Sequence, residues 1–271
     1  MEYASFEQFL TVSCGLQAVT ILGYVGAVRR MKKVLGDEPT HDELNQYIYT
    51  LYASNCSYAH KTNTALGLER WTEYRGDPLK FGRQRKPRQI VKDTLTEAEV
   101  TRLIFSAGNI RDKAMIALLA YSGVRNLELC NLKVRDFDSG RNTICVLKGK
   151  GLKDGLVNIS SACTSILLEY LQVHARQADD FLFNTYQKKQ MTTWAVRKQV
   201  HVIAKKAGIK KRVYPHLLRH TLAANLLLRG ANIMLLKQQL RHSHLETTLG
   251  YINSIVFGEM NQYDKFAPSY L

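Results

Sequence analysis

Six side chains between positions 125 and 251 have the types that a metal-free attack on a phosphodiester needs. Arg125 stands in Ser122-Gly-Val-Arg-Asn-Leu-Glu-Leu129, and Lys150 in Lys148-Gly-Lys-Gly151. His216 and Arg219 stand in His216-Leu-Leu-Arg219-His220, His242 in Leu240-Arg-His242-Ser243, and Tyr251 in Gly250-Tyr251-Ile252. In such a reaction the non-bridging oxygens need cations, the nucleophile needs a base and the leaving oxygen needs an acid. A guanidinium is always charged and forks onto two oxygens. A lysine ammonium, with a reference pKa of about 10.4, is protonated at neutral pH and can donate to a departing alkoxide. A phenol of pKa about 10 is almost wholly un-ionised at pH 7, so it needs proton removal and positive surroundings.

Taken singly, each of these residues has a plainer reading. Glu128 lies three positions after Arg125, on the same helical face, and the two alone read as a surface ion pair. Lys148, Lys150 and Lys153 alone read as turn lysines in solvent, and the glycines around Lys150 let a backbone approach a ligand closely. His216 alone is a helix-start histidine. Tyr251 is one of 14 tyrosines. Their order along the chain is what singles them out.

Charge suggests which phosphodiester is involved. Lys and Arg number 38 against 23 Asp and Glu, a formal surplus of +15 that points to a polyanion. Nucleic acid is the first candidate, because neutralising phosphates releases condensed counterions without any reading of bases. The five cysteines, Cys14, Cys56, Cys130, Cys145 and Cys163, are scattered and form no CxxC pair. That excludes an ordinary zinc site and suits a reducing cytoplasm. No apolar run approaches the length of a membrane span, and the start of the sequence lacks the basic and apolar regions of a secretory signal. Clustered carboxylates at the spacing of a metal-dependent nuclease are also missing, so no metal and no other cofactor is expected.

The elements that must position these side chains follow from periodicity. Residues 1–79 read as four helices. Thr20, Tyr24, Val28, Met31 and Leu35 recur at helical spacing, as do Leu44, Tyr47, Ile48 and Leu51, then Leu66, Leu68, Trp71 and Tyr74. Residues 80–93 are basic, with Lys80, Arg83, Arg85, Lys86, Arg88 and Lys92 around Gly82 and Pro87, and read as an extended linker whose cations lie along phosphates. A second domain, 94–271, opens with Thr96 as an N-cap. It continues through a buried helix at 111–121 and a β-hairpin of strands 142–147 and 155–159. Helices at 162–174, 194–207, 217–229 and 233–240 complete it. The fold class is mainly α with a small antiparallel sheet. Pro215 announces the helix that carries His216 and Arg219, and Ser243-His-Leu-Glu246 reads as a capping box for a further one.

Those motifs, in that order, resemble the tyrosine recombinases, the family of phage integrases and Xer enzymes. The likeness runs from about residue 94 to 255, with Gly-x-Arg-x-x-Glu-Leu matched in full at 123–129 and Tyr251 nine positions after His242. The resemblance implies that the N-terminal helices are a SAM-like core-binding domain and that 94–271 is the catalytic domain. It makes Arg125 and Arg219 the phosphate clamps, with Glu128 holding Arg125. It gives His216 either a phosphate oxygen or the tyrosine proton, makes His242 a further phosphate ligand and Lys150 the general acid, and makes Tyr251 the nucleophile. The linker residues Arg83, Arg85, Lys86 and Arg88, with Arg241, are expected to contact DNA. At Arg241 the sequence departs from the family, in which a glycine usually precedes this histidine. Glycine there suits a helix C′ residue at positive φ. Arginine must take that conformation at a cost or adopt another one.

The implied activity is site-specific cutting and rejoining of double-stranded DNA through a 3′-phosphotyrosyl intermediate, without metal or ATP, in integration, excision or chromosome dimer resolution. The implied assembly is a homo-tetramer on paired sites, each subunit clamping the duplex. The tail carries Ile255, Phe257, Met260, Tyr263 and Phe266 and is expected to dock on a neighbouring subunit. Helices begin within the first residues of the sequence, which predicts no separate arm-binding domain and short, Xer-like target sites. Two other readings share the chemistry or the charge: a type IB topoisomerase-like strand transferase, which needs one site rather than two, and a DNA-binding protein without catalysis.

Overall fold

Four helices form the N-terminal unit: α1 (Glu2–Val12), α2 (Ala18–Leu35), α3 (His41–Ala53) and α4 (Tyr58–Tyr74). In the computed structural model the described residues are 2–85, 93–147, 155–174, 176–185, 187 and 189–241. Local signals set the helix ends. Thr40 accepts from the Glu43 backbone N–H at 3.3 Å and donates its own N–H to the Glu43 carboxylate at 2.8 Å, which starts α3. Phe6, Leu10, Val28, Met31, Leu44, Leu68 and Trp71 make the core. Helices α2 and α4 approach closely at Gly67, where an added Cβ would stand 3.0 Å from the Tyr24 Cα.

The basic segment after α4 is part of this unit for at least its first half. Phe81 is buried and donates its N–H to Glu69 at 2.8 Å, and the Arg83 guanidinium bonds the other Glu69 oxygen at 2.6 Å. Tyr52 donates its hydroxyl to the Gly82 carbonyl at 2.8 Å. An apolar anchor at Phe81 and a buried acid at Glu69 therefore hold a stretch whose composition alone reads as a solvated strap. The chain divides into Met1–Gln89 and Ile90–Leu271.

The second unit is built around α6 (Ile110–Ser122), in which every residue from Ala114 to Ala120 is buried. Around it lie α5 (Glu97–Phe105), α8 (Ser161–Val173), α9 (Thr193–Lys206) and α10 (Pro215–Leu228). The short helix α7 (Asn126–Asn131) follows the turn that carries Arg125, and the short helix α11 (Ile233–Leu240) ends at Arg241. Strands β1 (Phe137–Asp138), β2 (Thr143–Val146) and β3 (Gly155–Asn158) form an antiparallel sheet in that order. Ile144 pairs with Val157, and both face the core. The two-residue β1 was absent from the sequence reading because it is too short to show alternation. Among the described residues no helix is long and apolar enough to cross a membrane, and no group of three or more His, Cys, Asp or Glu is placed to hold a metal ion.

Candidate active site

The site is built on the corner between α6 and α7. Gly123 ends α6 with φ of 66°, in the left-handed region. A Cβ there would stand 3.0 Å from a methyl of Leu222 and 3.0 Å from one of Leu240, so both conformation and space call for glycine. The chain turns and Arg125 becomes the N-cap of α7. Glu128, three residues on, accepts the Arg125 backbone N–H at 2.7 Å and the Arg125 Nη1 at 2.9 Å. Glu128 thus fixes both the helix start and the guanidinium, whose side chain keeps 28% of its surface open.

Arg219 enters the same corner from α10. Its side chain is almost fully buried, with Nη1 donating to the Gly123 carbonyl and Nη2 to the Leu240 carbonyl. One guanidinium therefore bridges the turn that leads to Arg125 and the residue two before His242 in sequence. His216, one turn earlier in α10, is exposed, and its ring meets that of the buried His220 edge-on with centroids 4.5 Å apart. The spacing predicts that His216 and Arg219 share a face. They do so at different depths, with the arginine inside and the histidine at the surface.

The C-terminal end of α11 closes the corner. Gln239 donates its side-chain amide to the carbonyls of Ser122 at 3.0 Å and Asn158 at 2.8 Å, and accepts the Asn158 N–H at 3.2 Å. Arg241, the C-cap, sits at φ 51°, ψ 51°, so arginine does adopt the left-handed conformation that a glycine would take freely. That conformation costs a non-glycine residue about 1–2 kcal/mol. The Arg241 side chain bonds the Glu128 carboxylate, and both side chains are nearly enclosed, at 12% and 8% exposure. Burial works against the charged form of Glu128. The Arg125 backbone N–H and the guanidiniums of Arg241 and Arg125 outweigh it and hold the carboxyl below its ordinary range.

Of the residues singled out in the sequence, the structure brings together Arg125, Glu128, Arg219 and Arg241. Arg241, expected at a phosphate, is tied to Glu128. Arg83, expected there too, is tied to Glu69, while Arg85 is exposed. Lys86, Arg88, Lys150, His242 and Tyr251 lie outside the described residues, as do the capping box at 243–246 and the tail.

A profile of the phage integrase family matches residues 93–256, a stretch that contains all six candidate catalytic positions. The tyrosine recombinase XerA of Pyrococcus furiosus is 32% identical over 228 residues, covering 80% of this chain and 77% of that protein. The chain belongs to the phage integrase family of tyrosine recombinases. A tyrosine recombinase of Pseudothermotoga lettingae is 36% identical over 180 residues, a match spanning 66% of this chain and 62% of that protein. The crystal structure of a XerA recombinase superposes with a TM-score of 0.60 at 28% identity, covering 99% of each chain. The fold is accordingly mainly helical with a small antiparallel sheet, and residues 93–256 are the part that the family profile matches.

Two residues of this recombinase's corner went unnoticed in the sequence. Gln239 carried a usable signal: it occupies the inward stripe of α11 beside Leu236 and Leu240, and a polar residue on an apolar stripe must find partners. Gly155 carried none. It starts β3 at an ordinary backbone angle, and only the packing shows that a Cβ there would stand 2.7 Å from the Arg241 Cδ.

Proposed function

We propose that this tyrosine recombinase cuts and rejoins duplex DNA at specific sites through a covalent bond between Tyr251 and the 3′-phosphate. The hydroxyl of Tyr251 attacks the scissile phosphorus, losing its proton to His216 or to water. The bond to the 5′-oxygen breaks, and Lys150 supplies the proton that leaves a free 5′-hydroxyl. A 5′-hydroxyl from another strand then attacks the phosphotyrosine and reverses the step. The link conserves the energy of the broken ester, so neither ATP nor metal takes part. Arg125, Arg219 and His242 carry the charge that builds on the phosphate oxygens. Preorganised donors of this kind are each worth roughly 10²- to 10³-fold in rate.

The observation that carries this reading is the convergence of Arg125 and Arg219 on one corner, from helices nearly a hundred residues apart in sequence. Glu128 holds the first, and the carbonyls of Gly123 and Leu240 hold the second. Membership of the family and the +15 surplus support double-stranded DNA as the substrate. A homo-tetramer on two sites, with the tail of each subunit docked on its neighbour, is the assembly this reaction would use.

The test uses a duplex selected from a random library by binding, nicked so that the leaving strand diffuses away. The wild-type chain should form an adduct resistant to denaturation, with or without EDTA, and Tyr251→Phe should form none. A Tyr251→Phe protein that still traps covalently refutes the assignment. Joining of strands between two separate sites distinguishes recombination from relaxation at a single site.

A further inference from the structure

Arg241 has a role that neither the family pattern nor phosphate binding explains. Its side chain starts at the C-terminal end of α11, passes over Gly155 at the start of β3, and ends on Glu128 in α7. A Cβ on Gly155 would meet its Cδ at 2.7 Å and its Cγ at 3.3 Å, so the stem lies directly on the strand backbone. Gly155 itself has no left-handed φ that would demand glycine. Its missing side chain is the space that the arginine stem fills.

Each of the three segments leads to a different part of the proposed chemistry. Residue 241 precedes His242. Strand β3 follows the connection that carries Lys150. Glu128 holds Arg125. On the reading given under the proposed function, we propose that Arg241 is a positioning residue: a bolt across the site that sets the α11 terminus and the base of the β2–β3 connection relative to Arg125.

Backbone conformation and Nε burial both disfavour arginine at this position, against the bond to Glu128 that favours it. A glycine at 241 would take the left-handed conformation freely. The Arg241 Nε is enclosed with no hydrogen-bond partner among the described residues, a second cost that glycine would avoid. Side-chain depth also argues against a direct phosphate contact, because its charged end is already engaged with a buried carboxylate.

The test is a cycle of four proteins: wild type, Gly155→Ala, Arg241→Gly and the double variant. Two quantities are measured on the selected duplex, the equilibrium affinity by fluorescence anisotropy and the single-turnover rate of adduct formation. Gly155→Ala should slow adduct formation about ten- to a hundredfold, the range that displacement of a catalytic group by about an ångström produces. Affinity should stay within about twofold. The same alanine should be without effect in the Arg241→Gly background, because the stem it collides with is gone. Arg241→Lys keeps the charge without the fork and should react at an intermediate rate. Equal losses from Gly155→Ala in both backgrounds, or no loss in the wild type, would overturn the bolt while leaving the reaction intact. A wild-type protein that forms no adduct overturns the reaction and the positioning role together.

Discussion

Replacing Glu128 with glutamine isolates the charge that organises the corner. The carboxylate accepts three bonds: the Arg125 N–H at 2.7 Å, the Arg125 Nη1 at 2.9 Å, and the Arg241 Nη2. A glutamine retains one carbonyl oxygen, enough for the backbone N–H, and turns two N–H donors towards a guanidinium. Two charged hydrogen bonds are then lost, each worth about 1.5–3 kcal/mol, against which removal of a buried charge returns part. A net loss of about 2–3 kcal/mol follows, or a fall in melting temperature of about 4–12 °C for a domain of this size. The pH dependence fixes the cause. Burial raises the folded-state pKa of Glu128, but the Arg125 backbone N–H and the Arg241 and Arg125 guanidiniums hold it below the ordinary glutamate range. Its contribution is therefore complete above the unfolded-state pKa and fades as the pH falls from there through the folded value. Urea unfolding of wild type and Glu128→Gln should show a constant difference from pH 7 to about pH 5.5 and a shrinking one below about pH 4.5. A difference that vanished already at pH 6 would mean that burial wins over the two arginines, and the electrostatic account of the corner would be wrong.

Two further outcomes follow from the geometry. Gly123→Ala places a Cβ at φ 66° against methyls of Leu222 and Leu240, so it should cost about 2–3 kcal/mol in urea unfolding and depress adduct formation through Arg125; a loss below about 0.5 kcal/mol would show that the corner gives way easily. Burial pushes the thiol of Cys130 up to about 11 and that of Cys163 up to about 12, whereas Cys56 is exposed, so maleimide labelling read by mass spectrometry at pH 7 should modify Cys56 and leave the other two untouched until the protein is unfolded; early labelling of Cys163 would contradict its place in the core.

The sequence was most legible where local rules act alone. Thr96, followed by Glu99 three residues on, starts α5, and Pro215 opens α10. Among the described residues, helical spacing located every long helix, and the glycine-containing turn between 142–147 and 155–159 located two of the three strands. Legibility ended where distant segments meet. Nothing near Arg83 in sequence signals that Glu69, on the preceding helix and 14 positions back, will hold it, so a basic run reads as a free strap. Arg241 fails in the same way, since its partner lies 113 positions away. A charged side chain shows its type in the sequence but not its counter-ion, and the counter-ion decides whether it faces solvent, substrate or core.

That distinction bears on how the site keeps its charge. Three guanidiniums and one carboxylate gather at the corner, leaving two formal positive charges among the described groups. Without Glu128, Arg125 and Arg241 would face each other as like charges in a partly enclosed space, and repulsion would drive their side chains outward. With it, each is held by a bond to a separate oxygen, Arg125 through Oε1 and Arg241 through Oε2. One negative charge thereby orders two positive ones without neutralising both. The carbonyls of Gly123 and Leu240 orient the Arg219 guanidinium within the same corner. On the proposed reaction, an arriving phosphate meets an unspent surplus already held in place. Arg241 then contributes through the charge balance as well as through position. Arg241→Gly should therefore leave Glu128 to compete fully with the phosphate for Arg125, and the loss in rate should exceed what Arg241→Lys produces.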